Sequence, residues 1–377
     1  MIKQLQVLYD NRMVGTLALT VNRRVAFQYC DEWLNNGFSI SPFSLPLRKQ
    51  VFVPDKMYFG GLFGVFADSL PDAWGSVLME RVWVKQGYKK EDLNILERLA
   101  LIGDSGMGAL CYHPVRDYQN EVEVQNLDHI AEECMHILNA EETEDLDLLY
   151  ALGGSSGGAR PKVMTVIDGV DMIVKFPAGV DPINIGRMEY EYSLCAKSCG
   201  IDMTQTALLT SQKCDGYFGI KRFDRDKDRE IRYHVLTAAA LLEADYKQPA
   251  LDYHSLMKLT KILTRDNKED LENMFLRMCF NVLAHNRDDH AKNFSYIYVP
   301  EHNIWRLAPA YDLTYSNTFY GEHTTSVNGN GRNPGWNDLL EVGEKAGMTR
   351  QRCRELYEVC KKQVNAMLKE YLTFEFK

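Results

Sequence analysis

The sequence predicts an α+β fold with more than one domain, and three observations carry that reading. The chain has 377 residues, 45% of them hydrophobic and 25% charged, which is room for two or three domains with sizeable cores. Alternating apolar and polar residues, the mark of strands, run through the first thirty residues and again through 162–176. Between and after these lie stretches with the 3.6-residue period of helices.

The opening reads as a small β-meander: 5–9, a turn at Asp10-Asn11-Arg12, then 14–19 and 25–29. A linker-like stretch, 38–47, follows. Helical periodicity starts near Gly60 and is clearest over 74–83, where Trp74, Val77, Leu78 and Val82 are expected to share one face. Further helices are expected over 91–102, ending at Gly103, and at Leu127 to Leu138. The acidic run 141–147 closes this section, and a domain boundary is placed near residue 150, giving domains 1–150 and 151–377.

From there the pattern changes. The runs 162–167 and 170–176 flank Asp168-Gly169, a pair suited to a two-residue primed hairpin turn. A helix over 188–198 should stop at Gly200, and strands are expected at 206–209 and 217–223. The remainder is mostly helical, centred on 271–283, which is apolar on most sides and should be buried.

Composition removes several function classes. Aromatics make up 11% of the chain, and Gly (26) and Pro (12) follow no short period, so a disordered or fibrous chain is excluded. No apolar run is long enough for a membrane span. The N-terminal residues lack a signal-peptide core, so the cytosol is the expected location. A net charge of -9 argues against a free chain that coats nucleic acid. The nine cysteines show no metal-ligand spacing and are expected to be reduced and mostly buried.

Three clusters could carry chemistry, and their order is informative. In the first, 153–162, the glycines, with Ser155, Ser156, Gly157 and Gly158, can expose backbone N–H groups to an anion, and Lys162 follows. The bland alternative is a flexible linker. The stretch also satisfies G-x-S-x-G around Ser155 and Ser156, but a nucleophile elbow needs a strand before it and a helix after it, whereas Pro161 and a β-rich run follow. Lys175 closes the second strand of the hairpin. A strand lysine is usually just solvated, but here it could reach nucleotide phosphates, with Glu189 or Glu191 as an ion-pair partner.

The second cluster is 285–293. Asp288 and Asn293 have the D-x-x-x-x-N spacing of a protein-kinase catalytic loop, and Asp288-His290-Asn293 fits the D-x-H-x-x-N form of lipid-kinase-like enzymes. Asp289 has no asparagine at that spacing. The competing reading is a polar capping loop. The third cluster, 307–313, follows a second strand, and the hairpin between would return Asp312 near Asn293, supplying two oxygen ligands for one magnesium ion. A zincin is disfavoured because His285 and His290 lack the i, i+4 spacing.

With that order, the chain resembles the HipA family of serine/threonine-protein kinases, toxins of bacterial HipA/HipB-type toxin–antitoxin modules. The resemblance rests on 66–72 (Phe-Ala-Asp-Ser-Leu-Pro-Asp), 103–109, 173–177, 221–225, 288–295 (Asp-Asp-His-Ala-Lys-Asn-Phe-Ser) and 307–312, and it runs nearly the whole length. It implies a protein-kinase-like two-lobed core, a small β-rich lobe at about 151–225 and a helical lobe at about 226–377, preceded by an N-terminal α+β domain. It also implies ATP and Mg2+ as cofactors.

By motif position, Asp288 is expected as catalytic base, Asn293 and Asp312 as magnesium ligands, and Lys175 as the phosphate-binding lysine. Lys162 and His290 are expected to face the nucleotide, and Lys221, Phe223 and Asp224 to form the hinge and ribose side. Ser155, or the adjacent Ser156, matches the family's autophosphorylated serine. The loop departs from better-known members, which have Gln-Glu before the lysine where this chain has Arg160-Pro161. Expected partners are a cytosolic protein substrate such as an aminoacyl-tRNA synthetase, a small helix-turn-helix antitoxin, and operator DNA mainly through that antitoxin. The rival readings are a catalytically silent nucleotide-binding or repressor-partner module and a serine hydrolase.

Overall fold

The computed structural model describes residues 2–116, 126–226, 230–245, 251–318 and 321–373. The chain forms two compact units, the first comprising Met1–Gly186, Leu208–Leu236 and Ala240–Ala244, the second Arg187–Ala207, Thr237–Ala239 and Asp245–Lys377.

In the first unit the meander forms as expected: β1 (Gln4–Tyr9), β2 (Arg12–Leu19) and β3 (Val25–Tyr29) are joined by β4 (Leu110–His113) in the antiparallel order β3-β2-β1-β4. Leu5 and Val7 face inward, as the alternation requires. The stretch 38–47 is no linker. Ile40, Ser41 and Leu45 are fully buried, and the Tyr29 hydroxyl donates to the Leu45 carbonyl at 2.7 Å while accepting from Ile40 N–H at 3.2 Å. A buried tyrosine thus supplies the backbone partners that a solvated linker would take from water.

The helix at 74–83 runs Ala73–Lys85 and buries Trp74, Leu78, Met79, Val82 and Trp83, but Val77 faces out at 42% exposure. The helix expected from residue 91 starts instead at Ile95–Ile102, because the Asn94 side chain accepts from Leu96 and Glu97 N–H and so sets the N-cap there. Leu127–Leu138 forms as read, and the acidic run leads into an unexpected helix, Leu146–Gly153, so the boundary expected at residue 150 falls within a helix.

The second sheet of this unit holds β5 (Lys162–Ile167), β6 (Val170–Lys175), β7 (Thr206–Leu209) and β8 (Tyr217–Lys221) in the order β5-β6-β8-β7. The β5–β6 turn has positive φ at both Asp168 (49°) and Gly169 (78°), the primed geometry that Asp-Gly favours.

His234 is 1% exposed, with Nε2 2.7 Å from the Ile40 carbonyl, and burial depresses its pKa to about 4. The unfolded chain binds a proton near pH 6.5 that the folded chain refuses until about pH 4. Stability from this site is therefore complete above pH 6.5 and falls across that window, by ~1.4 kcal/mol per pH unit. Urea unfolding at pH 7 and pH 5 should show wild type losing ~2 kcal/mol more than His234→Gln, which keeps a donor for Ile40; equal losses would contradict this.

The second unit is built around Lys268–Leu283, N-capped by the Asn267 side chain. Met274, Phe275, Met278, Cys279 and Phe280 are fully buried, as its all-round apolar character predicts. Helices Tyr253–Leu263, Trp336–Lys345 and Arg350–Met367 surround it. Gly343 permits the close approach, since a Cβ there would lie 2.8 Å from the Phe275 ring. The antiparallel hairpin Ser295–Val299/Ile304–Leu307 follows the central helix. All nine cysteines are free thiols, six of them buried. No helix among the described residues is long and apolar enough to cross a membrane.

Candidate active site

The glycine-rich stretch of the first unit is a helix end followed by a tight turn. Gly153 is the last residue of Leu146–Gly153, and Gly154 N–H donates to Tyr150 O at 2.8 Å. A helix before and a strand after is the reverse of a nucleophile elbow, which removes the geometric basis for the hydrolase reading. Both serine hydroxyls are buried and donate to backbone carbonyls: Ser155 Oγ to Ser105 O at 3.0 Å, Ser156 Oγ to Gly153 O at 2.6 Å.

Gly158 sits at φ +86°, and a Cβ there would run into Lys162 Nζ, which donates to Gly157 O at 2.5 Å. The positive φ is what favours glycine here, since the lysine tip could move aside. Among the described residues, the N–H groups of Gly157 and Ala159 have no protein acceptor, and both residues are exposed. These two N–H groups flank Gly158, whose own N–H is taken by Asp72 Oδ2, and open N–H groups in a positive-φ turn are suited to an anion.

Lys162 and Lys175 are direct cross-strand partners on β5 and β6, so they share one face of the sheet. Lys175 Nζ lies 5.6 Å from the Phe218 ring centroid, and Lys162 is 7% exposed. Like charges placed opposite each other are unfavourable in a ladder, and an anion on that face relieves the repulsion.

Lys221, the last residue of β8, is exposed; beyond it Phe223 is half-buried and Asp224 is wholly buried. The Asp224 carboxylate accepts from Arg222 Nε (2.9 Å) and Nη2 (2.8 Å), from Arg225 Nη1 (2.6 Å) and from Gly108 N–H (2.8 Å). Burial pushes its pKa up, but the two guanidiniums and the Gly108 N–H outweigh that and hold it below the usual carboxylate value. This carboxylate ties 222–225 to the 103–109 turn.

In the second unit the loop after Lys268–Leu283 opens with His285 in a left-handed conformation, φ 53°. Asn286 Nδ2 donates to Asn281 Oδ1 at 2.9 Å and to the Asp312 carbonyl at 3.4 Å, linking the catalytic-type loop to the third cluster. Asp288 is exposed, 56% of its side chain open, with His290 Nε2 at 3.8 Å. Asn293 Nδ2 donates to Asp288 O at 2.7 Å, and among the described residues its Oδ1 accepts no hydrogen bond. The hairpin extends through Ala308 N–H to Ser295 O (2.9 Å), and Tyr311 OH donates to Lys292 O (2.6 Å), so Asn293 and Asp312 return to the same end. Asp312 holds φ 53°. The donor set, an amide oxygen and a carboxylate, suits a hard divalent cation such as Mg2+.

Sequence reasoning passed over Asp289, which is fully buried. Its carboxylate accepts from Tyr253 OH (2.9 Å) and Thr325 N–H (3.1 Å) and pairs with His323 Nδ1 (3.0 Å), while its carbonyl accepts from Thr325 Oγ1 (2.5 Å). It anchors the loop that presents Asp288. Asp72 entered only as the end of the 66–72 run, with no role of its own. The partners of both lie too far along the chain for any spacing rule.

The exposed aspartate, the amide oxygen and the carboxylate at one hairpin end in one unit, and the glycine turn with paired lysines in the other, are features of phosphate-handling proteins. The chain belongs to the HipA family: the model for the HipA-like C-terminal domain matches residues 154–368, and that for the HipA N-terminal domain matches 5–113.

It shares its fold with a HipA chain from the Shewanella oneidensis MR-1 toxin–antitoxin complex of HipA, HipB and operator DNA. The TM-score is 0.73 at 18% identity, covering 98% of this chain and 90% of that one. The expected fold class stands on that likeness. Among curated proteins, "Putative kinase Y4mE" of Sinorhizobium fredii is 25% identical over 83% of this chain and 77% of that protein. "Putative kinase Y4dM" of the same organism is 26% identical over 42% of this chain, and a "Putative kinase" of Haemophilus influenzae is 27% identical over 43%. These two matches span only 41% and 52% of the relatives' own lengths.

Proposed function

We propose that the chain is an ATP-dependent protein serine/threonine kinase of HipA type, the toxin of a toxin–antitoxin module. The observation that carries this reading is the cross-strand pair Lys162–Lys175 beside a glycine turn with open N–H groups, in a chain that also carries Asp288, Asn293 and Asp312 in kinase order.

In this reading the N–H groups of Gly157 and Ala159, with Lys162 and Lys175, hold the nucleotide phosphates. Asp288 accepts the proton of the attacking hydroxyl as the new O–P bond forms and ADP leaves. Asn293 Oδ1 and the Asp312 carboxylate would hold Mg2+, which would supply neutralisation of phosphate charge. His290 orients Asp288, and Lys221 and Phe223 line the adenine side. Positioning and electrostatic stabilisation supply the rate.

The substrate is a cytosolic protein, with a serine of the glycine turn, Ser155 or Ser156, as an internal acceptor. The partner is a small helix-turn-helix antitoxin, through which operator DNA is contacted. The HipA–HipB–operator complex of the Shewanella relative supports that assignment.

Incubation of the purified chain with Mg-ATP, followed by intact-mass measurement, should show a phosphorylated species. A chain that binds ATP but is never phosphorylated, and phosphorylates no protein of its host's lysate, would instead be the silent nucleotide-binding module.

A further inference from the structure

The glycine turn is clasped by a residue of the N-terminal region. Asp72 is the N-cap of helix Ala73–Lys85, yet its side chain accepts no hydrogen bond from that helix. Instead Asp72 Oδ2 accepts from Gly158 N–H at 2.9 Å. The same helix turn reaches back in the other direction, with Trp74 N–H donating to Gly158 O at 3.3 Å and Trp74 Nε1 donating to Lys162 O at 3.2 Å. Gly158 is thus held at both its donor and its acceptor, and the β5 residue Lys162 is held beside it. Gly75 allows the approach, since a Cβ there would meet Gly154 O at 2.8 Å and Ser156 O at 3.0 Å.

An Asp at an N-cap ordinarily stabilises its own helix. Here the carboxylate is committed to a turn 86 residues away, at the one glycine of the turn that both carries positive φ and touches Lys162. Fixing Gly158 at both ends fixes the two peptide units that flank it: one carries the open N–H of Ala159, the other the Gly157 carbonyl that accepts from Lys162 Nζ.

We propose that Asp72 is a positioning residue for nucleotide binding: it presets the glycine turn so that the open N–H groups and Lys162 converge on the phosphates, which makes the N-terminal region part of the phosphate site. This rests on the kinase reading above. An unclasped turn would have to be ordered by ATP itself, and that ordering is drawn from binding free energy.

The test uses the full chain with Asp72→Ala and Asp72→Asn, the second retaining an acceptor oxygen for Gly158. Without nucleotide, amide hydrogen exchange in the peptide spanning 157–162 should speed up in Asp72→Ala and stay near wild type in Asp72→Asn. With Mg-ATP, Asp72→Ala should raise KM for ATP roughly tenfold or more with a smaller change in kcat, and Asp72→Asn should recover most of it. Unchanged exchange and KM in Asp72→Ala, a loss confined to kcat, or an Asn variant as defective as the Ala variant would each overturn the proposal. If the wild type neither binds nor turns over ATP, the kinase reading fails, while the exchange comparison still decides whether Asp72 sets the turn.

Discussion

Phosphoryl transfer by Asp288→Ala is expected to fall roughly 10²–10⁴-fold, the usual worth of a positioned general base, with ATP binding nearly intact. Two neighbouring aspartates make this a sharp test. Asp288 is exposed, with 56% of its side chain open to solvent, whereas Asp289 is buried and hydrogen-bonded to Tyr253, His323 and Thr325. Substituting Asp289 should therefore act mainly through the loop's stability, leaving the Tyr253 hydroxyl and His323 Nδ1 without their buried partner. Asp288→Ala should unfold like wild type and fail at chemistry. If the two variants show the same pattern in a thermal melt and an ATP-turnover assay, the assignment of Asp288 as base is wrong.

The largest stability effect is expected at Asp224. Removing one partner of a buried ionic group leaves charge without compensation, at a cost of ~3–5 kcal/mol. Here one carboxylate serves two guanidiniums and a buried N–H, so Asp224→Ala should lie in that range by denaturant unfolding. The expectation from motif position put Asp224 at the nucleotide's ribose side. The two roles separate cleanly: an anchor loses stability in Asp224→Ala, whereas a ribose contact would raise KM for ATP at unchanged stability.

Local chemistry explains what could be read in advance. Asp168-Gly169 demands a primed turn, and the hairpin formed with its expected register. The apolar helix before residue 285 could only be buried. Features set by contacts remote in sequence were not legible. Tyr29 satisfying the backbone of 40–45 turned an apparent linker into core. The helix start differed for a local reason: the Asn94 N-cap sets it, where periodicity alone put it at residue 91. The clasp of Asp72 on Gly158 and the grip of Asp224 on Gly108 span 86 and 116 residues, and nothing in the local pattern announces either. Asp288 and Asn293 could be singled out as candidates because their spacing is short; the contacts of Asp289 with Tyr253, His323 and Thr325, which hold that loop, could not.

The most direct test of the central claim is to treat wild type and Asp288→Ala with Mg-ATP, digest both, and locate phosphate by mass spectrometry on the peptide carrying Ser155 and Ser156. Phosphate on that peptide in the wild type and none in Asp288→Ala is the predicted result. No phosphate in the wild type, there or on any added protein, would contradict the kinase reading, and equal phosphate in both would contradict the role given to Asp288.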